Sequence, residues 1–283
     1  MKQRFLFHGE VIPFGARLRG GCRSPLPAAV ALPGVGGHAR AHVDSFTLGR
    51  RLCIDHASSS VTGAHRDGGY ETRVTCTVEG FRIAGVLEAD LLSSVLTSRY
   101  EKHHRFYEET VVVEGLRIAG EPYRIDSTNL KAVQACPTWQ MVGEALQKKK
   151  DMAESFAQAG TPAKGGVPVP TEAGDYACYL LQAHRAGAAP VAGPCASVHI
   201  GNRRFEIFLA EYLISERQRR LTLLRIEAAD GEGRAVPVRA PAPPGGQAMA
   251  LMASGPAADE EPDDESMDSA SAGESRINGQ THP

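Results

Sequence analysis

The sequence predicts an all-β, mainly antiparallel domain: a sandwich or barrel of long bent hairpins, with one amphipathic helix and a disordered acidic tail. Three observations carry this prediction. A kinked segment recurs at a spacing of 35 residues, starting at Val43, Val78 and Val113. Between copies the chain alternates with a period of two, as in Val86–Arg99, where Leu87, Ala89, Leu91, Ser93 and Val95 share one side. Helical spacing is confined to one stretch that begins at Thr138.

The three segments read Val43-Asp44-Ser45-Phe46-Thr47-Leu48-Gly49, Val78-Glu79-Gly80-Phe81-Arg82-Ile83-Ala84-Gly85 and Val113-Glu114-Gly115-Leu116-Arg117-Ile118-Ala119-Gly120. In each, apolar residues keep one parity up to the valine and the opposite parity after it. The acidic-small pair must therefore shift the pattern, which marks a β-bulge or a sharp bend. A unit of this length is about two strands with their connections, too long for one rung of a tight β-helix.

Along the chain, residues 3–14 form an opening strand, followed by a Pro/Gly-rich loop over Gly20–Gly37. The 35-residue units fill about 40–126, with Ala84-Gly85 as a turn. Trp139, Val142, Leu146, Ala153 and Phe156 then define a helix over about 138–159, capped by Thr138 and stopped by Gly160-Thr161-Pro162. After a Gly/Pro loop, strands return at Tyr176–His184, Ala196–Ile214 and Arg219–Ile226, with Glu216-Arg217 at a hairpin tip. Residues 1–229 thus read as one β-rich domain. Residues 230–283, rich in Pro, Ala, Gly and Ser and with seven carboxylates over Asp259–Asp268, read as a tail that cannot bury enough apolar surface to offset its ordering entropy.

That tail holds ten acidic and three basic side chains, so a chain of net charge −2 has a positive body. The six cysteines show no CxxC pair and read as thiols in a reducing compartment. The amino terminus has only three consecutive apolar residues, Phe5-Leu6-Phe7, too few for a signal-peptide core, and no stretch suits a membrane-spanning helix. A cytoplasmic location is the resulting expectation.

The stretch Val43–Asp126 resembles the repeat-bearing bacterial β-domains grouped as choice-of-anchor P family proteins. The shared features are the Val-Glu-Gly-aromatic/Leu-x-Ile-x-Gly strands and the intervening Glu88-Ala89-Asp90-Leu91-Leu92-Ser93 strand. The resemblance implies a β-rich fold and supplies no catalytic residues.

Among candidate ligand-binding residues, Glu88 and Asp90 stand first, because strand alternation sets both carboxylates on one face about 7 Å apart. They resemble the opening of the Glu-x-Asp-x-x-Glu motif of jelly-roll glycoside hydrolases, but the position of the final Glu is Ser93. His38, His42 and Asp44 could supply metal ligands if their loop folded back, and His103-His104 is an adjacent pair. His56 with Ser58-Ser59-Ser60 sets hydroxyls beside a base without the elbow a nucleophile needs, and Gly34-Val35-Gly36-Gly37 lacks the Lys-Ser/Thr of a nucleotide loop. The basic positions Lys148–Lys150, Arg203-Arg204 and Arg217–Arg220 carry no interleaved aromatics, so nucleic acid is not the expected partner. No catalytic residue, metal or cofactor is expected. The function these observations predict is a non-enzymatic structural or interaction module, self-associating or bound to a protein partner. A carbohydrate-binding or carbohydrate-cleaving protein using Glu88 and Asp90 is the first alternative, and a nucleic-acid regulator with a competing acidic tail is the second.

Overall fold

The computed structural model describes residues 4–18, 24–50, 52–66, 68–101, 104–148, 176–188, 194–200, 203–215, 218–228 and 267–282. They form two antiparallel sheets packed face to face in a sandwich-like all-β fold, with two short helices. Strands β1 (Arg4–Leu18) and β2 (Val30–Ala31) open the first sheet. The chain then crosses over and builds the second sheet as a meander: β3 (Gly37–Leu48), β4 (Leu52–Arg66), β5 (Gly69–Ile83), β6 (Leu87–Glu101) and β7 (His104–Glu114). The short strands β8 (Arg117–Ile118) and β9 (Glu121–Asp126) extend that sheet. After α1 (Thr128–Gln134) and α2 (Trp139–Lys148), β10 (Tyr176–Tyr179) joins the first sheet and β11 (Gln182–Arg185) the second. β12 (Ala196–Ile200), β13 (Arg203–Ile214), β14 (Gln218–Ala228) and β15 (Met267–His282) complete the first sheet, in the order β10-β13-β14-β15-β1-β2 with β12 also on β13.

The three segments spaced 35 residues apart are bends. Ser45, Gly80 and Gly115 take left-handed φ values of 60°, 61° and 64°. Each bend flips which residues face the core: β5 buries Thr72, Val74, Cys76 and Val78, then Phe81 and Ile83. The neighbouring strand flips at the same level, so cross-strand register is kept, with Glu79 opposite Leu91 and Phe81 opposite Ala89. The result is a crease running across the sheet through Ser45, Asp55, Gly80, Asp90 and Gly115, and no residue is inserted on one side only. At Gly80 a Cβ would lie 2.0 Å from Asp55 Oδ2, and at Gly115 1.9 Å from Asp90 Oδ2, so both the dihedral and the close carboxylate call for glycine.

The first sheet carries the same device, which the sequence reading did not foresee. Ala210 (φ 49°) and Gly273 (φ 69°) alternate with Leu223 and Pro13 across β13, β14, β15 and β1. Between the two creased sheets lies a continuous core that includes Val11, Phe14, Val61, Val74, Phe81, Leu92, Leu221 and Ile277.

Three expectations need correction. The tail expected over 230–283 does not stay outside the fold, because Met267–His282 is an interior strand paired with β14 on one side and β1 on the other. Its inward positions, Ala270, Ala272, Ser275 and Ile277, are mostly small, and Ser275 Oγ lies 3.3 Å from Ser94 Oγ of the facing sheet. Small side chains give little hydrophobic periodicity, yet they let the sheets approach closely. Residues 229–266, including most of the acidic run, lie outside the described residues. The single helix is instead two: α2 occupies Trp139–Lys148 with Met141 N–H donating to Thr138 Oγ1, α1 precedes it, and residues 149–159 lie outside the described residues. The strand expected over Tyr176–His184 breaks at Leu180-Leu181, both fully buried, where the chain passes from one sheet to the other.

Candidate functional site

Where the sheets end decides which backbone is available to a partner. Most edges are short: β2 has two residues, β10 and β11 four each, and β12 five. β7 is longer, but α1 and the loop after it cover its outer side, with Tyr107 N–H donating to Pro137 O at 2.8 Å and Gln134 Nε2 donating to Glu109 O at 2.7 Å. β3 is different. It runs for 12 residues, about 40 Å, and among the described residues it pairs with β4 alone. Among the described residues no strand pairs with the backbone donors and acceptors of its other side.

The solvent-facing side of β3 and β4 gathers residues that are separate in sequence. His42, Asp44 and Arg40 are exposed on one face of β3, and His56 of β4 stands directly opposite Asp44. His56 Nδ1 lies 2.6 Å from Asp44 Oδ1. The carboxylate can only accept, so Nδ1 donates the proton, and in the neutral tautomer this contact selects, Nε2 keeps its lone pair. The His42 and His56 rings lie 6.4 Å apart at an interplanar angle of 25°. Of the sequence candidates, the fold thus joins His42 and Asp44 to His56. It leaves His38 farther along the strand, opposite Thr62. His104 stands on β7, and His103 lies outside the described residues. Ser58, Ser59 and Ser60 sit mid-strand in β4, with Ser59 Oγ donating to Ala28 O.

Glu88 and Asp90 both lie exposed on the outer face of β6, as strand alternation requires. Glu88 Oε2 is 3.7 Å from Arg117 Nη1, with both side chains about half exposed. A surface pair of this kind is worth about 0–1 kcal/mol. Asp90 sits over the backbone of Gly115 at the crease. Next along the crease, Arg82 holds Asp55 and its guanidinium keeps that carboxyl below the usual range.

The arginines of the 203–220 hairpin are largely engaged. Arg219 is 1% exposed, with its guanidinium 4.0 Å over the Tyr107 ring, and Arg220 pairs with Glu274 at 3.2 Å. Inside the sandwich, beside Arg219, Tyr212 donates to Glu109 Oε1, while Glu109 Oε2 has no hydrogen-bond partner among the described residues. On the outer face of the first sheet, Arg225 stacks 4.0 Å over Phe208 and holds Glu211 through two contacts at 2.9 and 3.1 Å, with Glu227 beside it. Cys76 and Cys178 are fully enclosed thiols, and burial pushes Cys76 up to about 12. No helix among the described residues is long and apolar enough to cross a membrane.

Fold and surface together define a two-sheet antiparallel β-domain with creased strands and, among the described residues, one long edge without a strand partner. Residues 5–164, more than half of the chain, match a domain of unknown function (DUF8256), and the chain belongs to that family. The match takes in β1, the β3–β7 meander and both helices, while β10–β15 lie beyond it. No curated protein and no solved structure matches the chain.

Proposed function

We propose that this chain is a non-enzymatic interaction module that associates with a second copy of itself, edge to edge, through β3. The observation that carries this reading is the open 12-residue edge of β3. A long unpaired edge is a template for another strand, and folded proteins ordinarily shorten or cover their edges, as the other edges do among the described residues. The charges on β3 favour a like strand as occupant. In an antiparallel pair centred on His42, Arg40 of each copy stands opposite Asp44 of the other, so the same opposite-charge contact forms twice about a two-fold axis.

The test is a charge exchange followed by light scattering of the full chain over a concentration range. Arg40→Glu sets like charges opposite each other at both contacts and is expected to weaken the dimer at least tenfold. Arg40→Glu combined with Asp44→Arg reverses both charges and is expected to restore it. A wild-type chain that stays monomeric at high concentration, or a double variant no better than the single one, removes the reading.

The carbohydrate alternative rests on Glu88 and Asp90, and the Arg117 contact occupies one of those two carboxylates. Glu88→Gln is expected to leave glycan binding and fold stability unchanged within about 0.5 kcal/mol. A loss of measurable glycan binding in that variant would revive the alternative.

A further inference from the structure

We infer that the β3 pairing carries a pH switch, in which His42 of each copy faces His42 of the other and protonation drives the two chains apart. This inference deepens the reading proposed above and rests on it. In an antiparallel pair centred on His42, the residue at the two-fold axis is its own partner, so the two imidazoles become direct cross-strand neighbours, about 5 Å apart at Cβ. His42 is exposed on the outer face of β3. Histidine is the side chain whose charge ordinarily changes between pH 5 and 8, and like charges directly opposite each other destabilise a strand pair.

The surroundings of His42 set the sign. On its own strand it lies midway between Arg40 and Asp44, both exposed on the same face. On β4, the uncharged Ser58 stands directly opposite, and the ring of His56 is 6.4 Å away. Farther out, on β5, Glu79 stands opposite His56. The second copy adds its own Arg40, His42 and Asp44, with Arg40 and Asp44 as the two diagonal neighbours of His42 across the seam. In each copy the arginine and the aspartate flank His42 symmetrically and their charges oppose each other. His56 touches the Asp44 carboxylate through Nδ1, which offsets the charge that His56 gains on protonation. The repulsion left without an offset is that of His42 against His42. The paired state therefore binds fewer protons than the separated chains, and its stability falls as pH falls through the histidine range.

The experiment is light scattering of the full chain over a concentration range in low-salt buffer, at about pH 7.5 and about pH 5.5, which bracket the histidine range. The dimer dissociation constant is expected to rise by about fivefold at the lower pH. His42→Asn should remove that rise. His42→Lys, charged at both values, should weaken the dimer by about fivefold already at the higher pH, where the fold is not stressed by acid. His38→Asn, four residues and roughly 13 Å along β3 from the axis, should leave the rise intact. A rise that survives His42→Asn overturns the inference, as does a His42→Lys dimer as tight as wild type at the higher pH. A dimer that obeys the charge exchange and is equally tight at both pH values overturns the switch and leaves the β3 pairing standing. A chain that stays monomeric at both pH values overturns both.

Discussion

Gly273→Ala is expected to destabilise the domain by about 3 kcal/mol, the sum of a left-handed backbone penalty and an overpacking cost of one to three. Gly273 has φ 69° in β15, between β14 and β1, and a Cβ there would lie 2.5 Å from Leu223 Cδ1 and 2.8 Å from its Cγ. Leu223 is fully buried and cannot swing away. Two other glycines separate the contributions. Gly85 has φ 72° in a turn with nothing within 4 Å, so Gly85→Ala should cost only the backbone term, about 1 kcal/mol. Gly80→Ala meets Asp55, an exposed side chain that can give way only by loosening its Arg82 pair, and should fall between, at about 1–2 kcal/mol. Urea denaturation midpoints measure all three. Equal losses at the three positions would mean that the crease of the first sheet is not locked by Leu223.

The two creases differ in how far the sequence reveals them. In the second sheet the bend recurs with glycine or serine after an acidic residue, and valines before it and large apolar residues after it make the parity change visible. In the first sheet the left-handed residues are an alanine and a glycine in Phe208-Leu209-Ala210-Glu211 and Ala272-Gly273-Glu274, whose neighbours are apolar on both faces or small on both. β13 is buried continuously from Phe205 to Ala210, so alternation carries no signal there. β15 runs through Ser, Ala and Gly at six of the seven positions 269–275, the composition of a linker, and becomes a strand because β14 and β1 flank it and supply its hydrogen-bond partners. The His42–His56 pairing was hidden for a related reason. The two residues are 14 apart in sequence, and only the β3–β4 register, which sets Asp44 opposite His56, brings their rings together.

The second large effect lies inside the sandwich. Arg219→Met is expected to cost about 3–5 kcal/mol at pH 7, because it strips a buried cation from its partners and leaves a buried carboxyl behind. Arg219 now donates to the Ser215 and Gln218 carbonyls, stacks on Tyr107, and offsets the charge of Glu109. Methionine keeps most of the apolar stem and none of the charge. Burial is the largest influence on Glu109 and raises its carboxyl above the ordinary range, against the Tyr212 hydroxyl and Arg219, which pull it down. A carboxyl raised on folding contributes stability that is fully present below its unfolded value of about 4.5 and is lost as pH rises through its folded value. Removing Arg219 raises Glu109 further, so the Arg219→Met penalty should grow from pH 5 to pH 8. Glu109→Gln, which keeps an acceptor for Tyr212 and carries no charge, should abolish that growth and recover part of the loss in the double variant. A penalty that is flat across this range, or unchanged by Glu109→Gln, would show that Arg219 acts through the carbonyls and Tyr107 alone. Because a domain of this kind has about 5–15 kcal/mol of total stability, a penalty that grows above about 5 kcal/mol would leave the Arg219→Met variant with a large unfolded fraction at the upper end of this pH range.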